Sequence, residues 1–112
     1  FGSAPLEDRA RSYLHANCAF CHRPQGPGRG AADWRFAQSL DQTHACNAAP
    51  EAGSLGIFGA KLIVAGDPGS SLVSVRMHAT DASRMPPLGS AIVDTNGTAV
   101  VDAWISSLTT CP

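Results

Sequence analysis

The chain has 112 residues, a length that suits one domain over residues 1–112 with a limited core. Hydrophobic residues make up 44% and charged residues 15%, an ordinary globular balance that argues against a disordered chain. The formal net charge of -1, with no basic stretch and no apolar run near the length of a membrane span, removes the sequence arguments for nucleic acid, for an anionic membrane surface and for a transmembrane helix.

Aromatics are few, at 6%, while 8 Pro and 11 Gly point to many loops. A domain this short often leans on a staple, a metal or a cofactor, and a large apolar cofactor would fill the gap left by the missing aromatics. No secretory leader is visible at Phe1, and a helical pattern begins almost at once. The sequence therefore reads as a mature chain or as a domain of something longer.

Three helical patterns stand out in chain order. The first runs from about Leu6 to Asn17, with Glu7 and Asp8 in the first turn, where acids suit the helix dipole. Leu6, Ala10 and Leu14 give it one apolar face, with Tyr13 beside them. The second runs from about Pro68 to His78, with Asp67 placed as the N-cap and Pro68 at N1. The third runs from about Thr95 to Leu108, capped by Asp94. Its Gly97, Val101, Trp104 and Leu108 form the strongest helical period in the chain. Trp34–Leu40 and Ala60–Ala65 read as short extended segments. Residues 24–30 and the run Pro86-Pro87-Leu88-Gly89 read as loops.

Cysteines occupy positions 18, 21, 46 and 111. Cys46 and Cys111 are isolated, and as a pair they fit one disulfide in an oxidising compartment, such as the periplasm or another extracytoplasmic space. Such a bond would tie down the C-terminus and close a loop of about 65 residues, for about 4 kcal/mol on the chain-entropy model. Two buried thiols are the alternative.

The other two cysteines belong to Cys18-Ala19-Phe20-Cys21-His22, a C-x-x-C-H sequence at the end of the first helical pattern. This is a signature of covalent haem c attachment. Thiols three positions apart can reach the two vinyl groups of one haem, and the adjacent His22 then supplies an iron ligand. A thioredoxin-like dithiol would follow a strand, which this motif does not. A zinc-binding structural module would need a second ligand pair, for which His44 and Cys46 are available. For the sixth iron position Met85 is the preferred candidate, because it stands before Pro86-Pro87 in a loop that a preceding helix can hold. Met77 and His78 are competitors inside the second helix. His15 and His44 read as surface residues. Trp34, Arg35, Arg76 and Arg84 are candidate partners for haem propionates, through an indole N–H or a guanidinium fork. Phe36, Phe58, Leu62, Leu72, Leu88 and Ile92 are candidate pocket walls.

Taken together, these residues resemble the class I cytochrome c superfamily over nearly the whole chain. Ala10 and Leu14 stand eight and four positions before the first haem cysteine, as in that family. Val101 and Trp104 match the residues of the C-terminal helix that cross the N-terminal one, and Met85-Pro86 matches the Met-Pro loop. The resemblance implies an all-α fold of three to five helices around one haem. It also implies that a proline carbonyl holds the proximal His22 Nδ1–H; Pro24 and Pro27 are both available, and Pro27 is preferred. The segment from Arg23 to Leu62 is longer than in a minimal family member, and the extra cysteine pair is not a general family feature.

The expected role is electron transfer by a monomeric carrier rather than enzymatic turnover. Its partner would be a separate redox protein or a fused dehydrogenase domain. A ligand-binding or peroxidase-like haem domain would instead need a displaceable sixth ligand.

Overall fold

The computed structural model describes residues 5–19, 22–23, 26, 32–50, 53–79, 85 and 95–111. Among them the chain is helical: α1 (Leu6–Cys18), α2 (Leu72–His78) and α3 (Thr95–Ser107), with short 3-10 turns at Asp41–Thr43 and Pro68–Ser70 and no strand. This agrees with the all-α class expected from the sequence. No helix among the described residues is long and apolar enough to cross a membrane.

α1 begins where Pro5 offers its carbonyl to Arg9 N–H at 3.0 Å, and Glu7 and Asp8 fill its first turn. It buries Ala10 and Leu14 as the periodicity requires, and it also buries Arg11. It ends one residue later than expected, so Cys18 is its last residue.

α3 buries Gly97, Thr98, Val101, Trp104 and Ile105, and its most extensive packing is against α1. Gly97 is the notch of that crossing. A methyl group there would fall on the Tyr13 ring, with the ring carbons Cε2 and Cζ inside contact distance and Oη at 2.7 Å. Around this crossing lies one core cluster that includes Ala10, Leu14, Trp34, Ile63, Met77, Val101 and Trp104.

The single helix expected over Pro68–His78 is broken. Ser71 is extended, at φ -92° and ψ 111°, between a 3-10 turn and α2, and Asp67 makes no side-chain cap. The cause is tertiary. Ser71 forms a parallel bridge with Lys61, and its buried hydroxyl accepts Val64 N–H and donates to Asp67 O, both at 2.8 Å. These bonds outweigh the helix propensity of the flanking residues. The third helix falls within one residue of its expected end, and its expected cap Asp94 lies outside the described residues.

Residues 61–63 are extended, as expected of Ala60–Ala65, and lie between 45–48 and 70–73. Ile63 N donates to Ala45 O at 3.1 Å, and Leu72 N donates to Lys61 O at 2.8 Å. The expected extended segment Trp34–Leu40 instead turns, with Gln38 N bonded to Arg35 O at 3.1 Å. Asp33 forces this turn by capturing both the backbone N–H of Arg35, at 3.2 Å, and its guanidinium.

At the far end Gly66, at φ +79°, directs its N–H to Ile105 O at 2.9 Å and so covers one of the last α3 carbonyls. Beyond it the sulfurs of Cys46 and Cys111 lie at disulfide-bond distance, with a Cα–Cα separation of 5.6 Å.

Candidate cofactor-attachment site

Cys18 sits half-buried on the last turn of α1; Cys21 and Phe20 lie outside the described residues. His22 N–H donates to Cys18 O, at the end of α1, at 2.9 Å. The His22 carbonyl then accepts Trp34 N–H, also at 2.9 Å. The histidine backbone is thus held on both sides, by the end of α1 and by the 32–34 segment. That segment is fixed in turn, because Asp33 N–H donates to Thr43 O at 2.8 Å.

The His22 ring is half-buried, and its Nδ1 is a buried atom with no hydrogen-bond partner among the described residues. Burial pushes the imidazole pKa below its usual range, which favours the neutral ring. A neutral imidazole is the form that ligates a metal, and its other nitrogen is ordinarily held by a carbonyl or carboxylate. Pro27 and Pro24, the expected donors of that carbonyl, lie outside the described residues.

The remaining candidates fall in different places. Trp34 is buried in the core cluster. Arg35 is committed to Asp33, with Nε 3.0 Å from Oδ1 and Nη2 2.8 Å from Oδ2, and this bidentate partner holds the Asp33 carboxyl below the usual carboxylate range. Met77 is a buried member of the core. Met85 is half-buried on a different element: its N–H donates at 3.0 Å to the carbonyl of Arg76, near the end of α2. Arg84 lies outside the described residues. The structure therefore ties Cys18, His22 and Trp34 into one hydrogen-bonded unit, and hangs Met85 from α2.

Two of the proposed pocket walls are corrected. Phe58 is fully exposed and Phe36 is 45% exposed, because both sit on turns at the surface. Leu72 is buried and Leu62 half-buried, while Leu88 and Ile92 lie outside the described residues. The His44/Cys46 pair is broken as a metal site, since Cys46 faces Cys111. No group of three or more His, Cys, Asp or Glu suited to a metal ion occurs among the described residues.

Several polar contacts have no counterpart in the sequence reading. Arg11 is 3% exposed and donates from Nη2 to the carbonyls of Gln38 and Arg35. One turn on, exposed His15 accepts Phe36 N–H at Nδ1, at 3.0 Å. Two residues at i, i+4 on one side of α1 thus grip the 35–38 turn. On α2, Ser74 and His78 both bond Asp102 of α3. None of these pairs has a local sequence signal, because the partners are 21 to 28 positions apart.

Comparison of the chain with protein-family models, with curated proteins and with solved structures finds no match.

Proposed function

We propose that the chain is a mono-haem c-type cytochrome domain of the class I type, working in electron transfer. The observation that carries this reading is the C-x-x-C-H sequence at the very end of α1, with His22 held by its backbone on both sides, its ring half-buried and its buried Nδ1 without a partner among the described residues. The donor set fits haem c. Cys18 and Cys21 would hold it through thioether bonds, His22 would supply the proximal nitrogen, and Met85 the sixth ligand. The Pro27 carbonyl would orient His22, with Trp34 and Arg84 as partners for the propionates. The packing of α1 on α3 through Tyr13 and Gly97 supports the cytochrome c fold. Bound haem supplies a one-electron Fe(II)/Fe(III) couple, and two protein ligands leave no position open for substrate. The chain's own residues hold the backbones of the two proposed ligands, His22 through Cys18 and Trp34 and Met85 through Arg76. The exchange partner is a redox protein or a fused dehydrogenase domain, in an extracytoplasmic compartment that permits the Cys46–Cys111 bond.

The test is expression in a host with haem-attachment machinery. A c-type α-band that survives denaturation and extraction is expected, together with a weak near-infrared band from methionine sulfur on ferric iron. That second band should vanish in Met85→Ala and persist in Met77→Ala. The reverse pattern would reassign the ligand. Zinc in place of covalent haem would overturn the proposal, and fast carbon monoxide binding by the reduced protein would replace the carrier with a ligand-binding domain.

A further inference from the structure

We infer that Asp102 is a positioning residue for Met85, an assignment that rests on the proposed His22/Met85 ligation. Asp102 stands on α3 and divides its carboxylate between two α2 side chains one turn apart. Ser74 Oγ–H donates to Oδ1 at 2.5 Å, and His78 Nε2 lies 2.8 Å from Oδ2. Ser74 is 3% exposed, so its bond is made out of solvent. The backbone carbonyl that receives Met85 N–H belongs to Arg76, midway between these two side chains.

α2 has seven residues, too few to hold helical structure alone, so its contacts decide where it lies. Its first turn is fixed by backbone bonds, Leu72 N to Lys61 O at 2.8 Å and Val73 N to Leu62 O at 3.2 Å. At its last turn the Arg76 carbonyl receives Met85 N–H. There the buried Met77 side chain supplies packing, and Asp102 supplies the polar tie from α3. Whatever sets the last turn of α2 sets the carbonyl from which Met85 hangs. Asp102 thereby links the α1/α3 crossing to the ligand loop, across residues that no sequence motif connects. Charge-assisted bonds of this kind are strong enough for their loss to change the docked-to-released ratio of the helix end by about tenfold or more.

The experiment compares the full-length holoprotein with its Asp102→Ala and Asp102→Asn variants. It reads the affinity of added imidazole for the ferric haem and the hydrogen exchange of the Met85 amide. In Asp102→Ala, imidazole should bind about tenfold tighter and the Met85 amide should exchange about tenfold faster, with covalent haem content and the protection of α1 unchanged. Asp102→Asn, which retains an acceptor for Ser74, should fall between. Wild-type imidazole affinity and wild-type Met85 exchange in Asp102→Ala would overturn the assignment. So would a uniform rise in exchange across α1 and α3, which marks general destabilisation. Should Asp102→Ala fail to fold, Asp102→Asn and His78→Gln carry the same comparison. If the wild-type chain takes up no covalent haem, the functional reading fails, and Met85 amide exchange alone still decides whether Asp102 holds that segment.

Discussion

Replacing Gly97 with alanine adds one methyl group where α3 lies on α1. Helix propensity favours the change by about 0.8–1 kcal/mol in a helix interior, and by less at the third residue of α3. Packing opposes it. The new Cβ would overlap Cε2 and Cζ of Tyr13 and come within 2.7 Å of Oη. The ring is stiff and its backbone is the core helix α1, so relief requires Tyr13 to leave the crossing or the two helices to separate. Overpacking of this kind costs about 1–3 kcal/mol, which exceeds the propensity gain. The expected outcome is a net loss of about 1–2 kcal/mol, read as a lower urea midpoint at unchanged m. In a Tyr13→Ala background the obstacle is gone. There the same Gly97→Ala change should be neutral or stabilising, so its sign reverses or its cost vanishes. Equal stability of Gly97→Ala and wild type, or an equal loss in both backgrounds, would refute the reasoning.

The Cys46/Cys111 pair closes a separation of 65 residues, and replacing both with serine should lower stability by about 4 kcal/mol on the loop-entropy model. Urea unfolding should show the same loss in the oxidised wild type after full reduction, and no further loss in the double variant. The Asp33–Arg35 pair should give an acid-side dependence. Arg35 depresses the Asp33 pKa in the folded state, so the unfolded chain takes up a proton first as pH falls. The stability from the pair is complete well above the ordinary carboxylate value of 3.8 and disappears as pH drops through the lower folded-state value. Arg35→Gln should therefore be less stable than wild type at pH 7, with the gap in urea midpoints narrowing as pH falls below 3.8. A gap that stays constant as pH falls below 3.8 would show that Arg35 acts through packing instead.

Local pattern alone determined the helical class, the span of α1 and α3 and the apolar faces of both, because a 3.6-residue period and terminal charges are properties of short stretches. It also singled out the five-residue C-x-x-C-H run, because the proposed attachment chemistry depends only on thiol spacing and the adjacent imidazole, and it singled out Cys46 and Cys111 as a pair. Tertiary structure decided what depends on distant partners. Ser71 leaves the helical path because Lys61, Val64 and Asp67 outbid its neighbours for its polar groups. Residues 35–38 turn because Asp33 captures Arg35 and α1 grips the turn through Arg11 and His15. A buried arginine is unforeseeable from its own helix, since the carbonyls that solvate it arrive from a loop 24 to 27 positions away. The C-x-x-C-H motif on which the proposed haem attachment rests is legible in five letters. The backbone that holds His22, and the Ser74–Asp102–His78 link beneath Met85, exist only once α1, α2 and α3 have packed together.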